Sequence, residues 1–132
     1  AKDLNGFVQL SLDFLPIEEL PSLIKTADLA LVPYRQDIFT DGILPTKLME
    51  YSALGIPVIA SKTGVISMYF DSSMVEFISP GDVEELIDAI KRLYSDTSRR
   101  MELSKNIQKF DREYNWEVLK LDYVNQVKEL IK

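Results

Sequence analysis

Lys47 and Glu50 lie three residues apart, just past a long polar loop, and their side chains suit a charged ligand that also carries hydroxyls. The loop runs Pro33-Tyr34-Arg35-Gln36-Asp37-Ile38-Phe39-Thr40-Asp41-Gly42-Ile43-Leu44, and a helix is predicted to start near Pro45. The apolar run Leu29–Pro33 precedes it. If that run is a strand of a parallel sheet, the loop leaves its carboxyl end, where open parallel sheets bind ligands. A helix N-terminus at that edge offers unpaired N–H groups and a positive dipole end to an anion. Spacing of three puts Lys47 and Glu50 on neighbouring faces of the first two helical turns. Their bland reading is an exposed ion pair, worth about a few tenths of a kcal/mol. Their chemical reading is richer. A carboxylate there can accept two hydroxyl donors, as ribose recognition requires, and an ammonium can meet a phosphate or a neighbouring acid.

Composition narrows the alternatives. The 132 residues carry 15 Lys+Arg against 21 Asp+Glu, a net charge of −6, with no basic stripe, so nucleic-acid binding is not expected. Cysteine and histidine are both absent. This chain alone therefore builds no disulfide scaffold, no Cys- or His-ligated metal site, no thiol nucleophile and no Ser-His-Asp triad. No carboxylate cluster of metal-binding type stands out, so no metal and no cofactor is expected. The absence of cysteine suits a reducing cytoplasm. The longest stretch without a polar side chain, Ala53 to Ala60, is far too short for a membrane span, and no secretory leader is expected from the opening residues.

The elements that would position the loop alternate in the rhythm of an α/β protein. Strands are predicted at Phe7–Ser11, Leu29–Pro33, Pro57–Ser61 and Met74–Ser79. Leu29-Ala30-Leu31-Val32 and Val58-Ile59-Ala60 are apolar at consecutive positions, which suits strands covered on both faces. Helices are predicted over Ile17–Ala27, burying Leu20, Leu23, Ile24 and Ala27, and over Pro45–Leu54, closed by Gly55 with Pro57 beyond. Asp82 and Glu85 read as a capping-box start for a helix using Val83, Leu86, Ile87 and Ile90. Two more follow, from Thr97 to Arg112 on Leu103, Ile107 and Phe110, and from Trp116 on Trp116, Tyr123, Val127 and Leu130. The expected architecture is a single α/β domain, 1–132. It has a Rossmann-like parallel sheet of about four strands, helices on both faces and a helical C-terminal end.

The run Pro45-Thr46-Lys47-Leu48-Met49-Glu50-Tyr51-Ser52-Ala53-Leu54-Gly55-Ile56-Pro57-Val58-Ile59-Ala60-Ser61 resembles the donor-binding segment of family 4 retaining glycosyltransferases, which have the GT-B fold. Ala27 to Tyr34, Ser79 to Leu86 and Tyr114 to Glu117 resemble flanking motifs of that family, in the same order. The resemblance implies part of the C-terminal, nucleotide-sugar-binding domain of an enzyme that transfers a sugar to a glycan or lipid-linked acceptor. It makes Glu50 the second glutamate of the Glu-x7-Glu motif, on the ribose hydroxyls. The first glutamate falls at Gly42, so Asp41 or the amides of Gly42, Ile43 and Leu44 are candidates to meet the sugar. Thr46 and Lys47 are further donor-binding candidates by this resemblance, with Lys47 meeting a phosphate or pairing with a neighbouring acid. No catalytic residue is assigned.

By the same resemblance, two strand–helix units and the acceptor-binding domain precede this segment, so the isolated chain is expected to be inactive. Its incomplete sheet is expected to close by shifting a strand, by self-association or by absent sequence. A cytoplasmic protein, peripheral to a membrane where the acceptor is lipid-linked, is implied. The rival readings are a non-catalytic nucleotide-binding or interaction module on the same frame, and a GT-B nucleotide-sugar epimerase. The basic residues Arg99, Arg100, Lys105, Lys109 and Arg112 read as a solvated helix face, and Trp116 and Tyr123 as core.

Overall fold

The computed structural model describes Val8 and residues 14–131. In chain order its elements are α1 (Leu20–Ile24), β1 (Ala30–Val32), α2 (Ile38–Asp41), α3 (Thr46–Leu54), β2 (Val58–Ser61), α4 (Gly64–Tyr69), β3 (Glu76–Ile78), α5 (Val83–Ser95), α6 (Thr97–Tyr114) and α7 (Trp116–Leu130). The three strands pair in parallel in the order β1-β2-β3, with Ala30 opposite Val58 and Ser61 opposite Ile78. This is the expected α/β architecture. The predicted strand at Phe7–Ser11 lies outside the described residues except for Val8, which sits in an isolated bridge.

β2 organises the interior because all four of its residues are buried. Successive strand residues face opposite sides. Val58 and Ala60 enter a core with Leu48, Ile66, Ile107 and Phe110. Ile59 enters a second core with Ile78, Ala89, Leu93 and Leu103. The consecutive apolar run thus buries itself under helices on both faces. α6 serves both cores, and its predicted face of Leu103, Ile107 and Phe110 is buried throughout. Each such side chain contributes roughly 1.5–3 kcal/mol when fully buried. Two hydroxyls fasten α6 to the α3–β2 turn: Ser52 Oγ donates to the Ile107 carbonyl (2.7 Å) and Ser104 Oγ to the Gly55 carbonyl (2.6 Å). Gly55 ends α3 at φ +68°, and a Cβ there would lie 2.7 Å from Gln108 Nε2. Only glycine suits that turn.

Several expectations are corrected. α1 spans five residues rather than Ile17–Ala27, and Leu20 and Leu23 are exposed; of its predicted face, Ile24 packs on the core. Leu31 is 40% exposed because α5 lies over β2 and β3 and leaves that face of β1 open. In α5, Ala89 and Leu93 are the buried positions, whereas Val83, Ile87 and Ile90 are exposed. α7 buries none of its residues: Trp116 is 64% and Tyr123 60% exposed, and Val127 and Leu130 are also exposed. Helical spacing defined a face there, but α6, its main neighbour among the described elements, buries none of it.

The basic residues divide. Lys105, Lys109 and Arg112 are solvated. Arg99 instead bonds Glu102, Glu76 and the Ser72 carbonyl, and Arg100 caps the end of α5 at the Leu93 and Tyr94 carbonyls.

Candidate functional site

β1 and β2 end side by side, and one hydroxyl joins them. Ser61 Oγ, buried, accepts from the Tyr34 N–H and donates to the Tyr34 carbonyl, which also accepts from the Gly81 N–H. Lys62 N–H reaches the Ile78 carbonyl at 2.8 Å, so all three strand ends are tied at the carboxyl edge. α5 starts there too. Asp82 accepts from Glu85 N–H (2.9 Å), but the Glu85 carboxylate reaches the Ser79 N–H (2.6 Å), so the expected capping box is displaced toward the loop.

The loop after β1 is more ordered than its sequence suggested. Asp37 and Thr40 form a reciprocal box that closes α2, a helix the sequence reading missed. Asp37 Oδ1 accepts the Thr40 N–H at 2.7 Å, and that bond holds the exposed carboxyl below the ordinary aspartate range. The signal was present as an acid followed three residues later by a hydroxyl. α4 was also missed, and for a better reason. Its first N–H, on Gly64, is met by Asp41 Oδ1 from 23 positions away (2.7 Å), which no local pattern encodes.

α3 begins at Thr46 with Pro45 as its N-cap, which brings no side-chain cap. Among the described residues, the N–H groups of Ile43, Leu44, Thr46 and Lys47 take no backbone acceptor. The Gly42 N–H is spent on the Phe39 carbonyl (3.2 Å). Lys47 is exposed at the start of the helix, and no ion pair joins it to Glu50. The bland reading of that pair therefore does not hold in this structure. A cleft of about 440 Å³ opens beside β1, lined by Leu31, Pro33, Tyr34, Pro45, Thr46 and Lys47.

The predicted site is split rather than gathered in one cavity. Gln36, Asp37, Ile38 and Asp41 line a separate hollow of about 310 Å³. Glu50 is exposed and borders a third, apolar groove of about 290 Å³ between α1 and α3, with Ile17, Leu20, Pro21 and Ile24. Its charge, after burial, helps raise the Tyr51 phenol above its ordinary pKa. A larger cleft, about 570 Å³, lies at the opposite edge among Thr26, Asp28, Leu29, Tyr94 and Arg100.

Residues 8–110 match the family model for glycosyl transferases group 1. The chain belongs to this family. No curated protein sequence matches it. Among solved structures, this group 1 glycosyltransferase domain is similar to the sucrose-phosphate synthase of Thermosynechococcus elongatus (25% identity, TM-score 0.75, 89% of this chain and 29% of that one). It is also similar to Anabaena HepE in complex with UDP-glucose (18% identity, TM-score 0.73, 84% and 30%). A third likeness is to the C-terminal domain of a Francisella tularensis group 1 glycosyltransferase, LpcC (19% identity, TM-score 0.61, 76% and 50%). The domain thus spans about 30% of the first two chains and has the fold of a GT-B glycosyltransferase domain. No helix among its described residues is long and apolar enough to cross a membrane.

Proposed function

We propose that this domain is the donor-binding part of a family 4 retaining glycosyltransferase. The enzyme carrying it transfers a sugar from a nucleoside-diphosphate sugar to a glycan or lipid-linked acceptor, with the acceptor held by sequence outside this chain. The observation that carries the reading is the start of α3. Among the described residues, four backbone N–H groups, from Ile43 to Lys47 with Pro45 omitted, take no backbone acceptor there, and Lys47 itself is exposed. Such an array favours a diphosphate, and most strongly the negative charge that grows on it as the bond to the sugar breaks.

Each site residue then has a role. Ile43, Leu44 and Thr46 donate backbone hydrogen bonds, and Lys47 neutralises phosphate. Gly42 admits the sugar closely because it carries no side chain. Glu50 accepts the two ribose hydroxyls, and the apolar α1–α3 groove beside it suits the flat face of a base. Asp41 stands at the rim, hydrogen-bonded to Gly64. HepE, solved with UDP-glucose, makes a uridine diphosphate sugar a natural first donor to test.

Calorimetric titration of the complete enzyme with uridine, guanosine and adenosine diphosphate sugars tests the reading. Saturable binding of one of them is expected, and an enzyme that binds none is not a nucleotide-sugar transferase. The anomeric configuration of the product, read by NMR, tests retention.

A further inference from the structure

Asp41 occupies a position with two consequences. It ends α2, and its carboxylate grips the first N–H of α4 at Gly64 with an Oδ1 distance of 2.7 Å. A Cβ on Gly64 would lie 3.0 Å from Oδ2 and 3.2 Å from Oδ1, so glycine is what lets the carboxylate approach. On its own side, α2 is stiffened by the Asp37–Thr40 box and by Thr40 Oγ1 donating to the Arg35 carbonyl. Yet α2 has no buried residue, and Ile38 and Phe39 are both largely exposed. Apolar packing therefore does little to fix this turn against the domain. Its Asp41–Gly64 hydrogen bond does.

Four residues separate Asp41 from Thr46, and they carry the Ile43 and Leu44 N–H groups. Wherever Asp41 is pinned, these donors are pinned within a short span of chain. We propose that Asp41 is a positioning residue that fastens segment 42–47 to the start of α4, and does not itself meet the sugar. The role rests on the donor-binding reading above. A carboxylate already committed to an N–H has less to offer a sugar hydroxyl, whereas a stiff turn hung on one charge-assisted bond gains most from it.

Asp41→Ala, Asp41→Asn, Gly64→Ala and the Asp41→Ala/Gly64→Ala pair in the complete enzyme test this by two readouts. The first is hydrogen–deuterium exchange over residues 35–47 and 64–69 without ligand. Exchange should rise in both segments for Asp41→Ala and Gly64→Ala, and stay near wild type for Asp41→Asn, whose amide oxygen still accepts the Gly64 N–H. The second is steady-state kinetics. Asp41→Ala should raise the donor KM roughly tenfold or more by misplacing the donors. Asp41→Asn should stay within about threefold, and the double variant should be no worse than Asp41→Ala. Unchanged exchange in Asp41→Ala overturns the tether. Asp41→Asn with normal exchange but a donor KM as high as that of Asp41→Ala shows that the charge itself meets substrate, and also overturns it. A wild-type enzyme that takes no nucleotide sugar overturns the donor reading and the tether's role in it, while the exchange data still decide whether the tether exists.

Discussion

Ser61 Oγ accepts the Tyr34 N–H at 2.8 Å and donates to the Tyr34 carbonyl at 3.0 Å, so one buried hydroxyl closes the backbone of the residue that leaves β1. Replacing Ser61 with Ala leaves the Tyr34 N–H without its acceptor, while the carbonyl keeps Gly81. A fully buried donor left unpaired costs about 1–3 kcal/mol, and this part-buried one costs up to that. Urea denaturation of Ser61→Ala should show a loss in that range with an unchanged slope. A loss near zero would mean that the strand ends are held elsewhere.

Thr63 lies two residues on and gives the opposite expectation. It is buried, and among the described residues its Oγ1 has no hydrogen-bond partner. Exchanging that hydroxyl for a methyl in Thr63→Val removes an unmet polar group at nearly constant shape. Stability should be unchanged or rise by about 1 kcal/mol in the same assay. A clear destabilisation would show that the hydroxyl is satisfied.

Glu50→Gln keeps size and removes the charge from two acceptor sites. Hydrogen bonds to charged groups are worth roughly 1.5–3 kcal/mol, so donor turnover by the complete enzyme should fall about tenfold or more. Kinetics indistinguishable from wild type would reduce Glu50 to an exposed acid of α3.

The Asp37 box should loosen in acid. The Thr40 N–H stabilises the ionised carboxylate and lowers its pKa in the folded chain. That contribution is full above the unfolded value of about 3.9 and is lost as pH falls through the lower folded value. Exchange of the Thr40 amide, followed by NMR, should accelerate over that window below about pH 4 and lose this pH dependence in Asp37→Asn. A rate that tracks intrinsic exchange chemistry in both proteins would argue against the box.

The sequence determined the frame of this domain. Consecutive apolar or small residues at Val58–Ser61, bounded by Pro57, suit a covered strand, and Leu103, Ile107 and Phe110 recur at the helical period. Gly55 before Pro57 stops α3, and Asp82 starts α5, because caps act within a turn of the chain. What depends on distant partners was decided only in three dimensions. The apolar spacing of α7 did not say whether anything lies against it, and that of Leu31 did not say that α5 would sit over β2 and β3 instead. Arg99 and Arg100 looked like surface charge until the packing of α5, α6 and β3 brought carbonyls and Glu76 to them. The site follows the same division. The place of Lys47 and Glu50 on α3 was readable from a helix start, whereas the bond from Asp41 to Gly64 joins the end of α2 to the start of α4, elements distant in the chain.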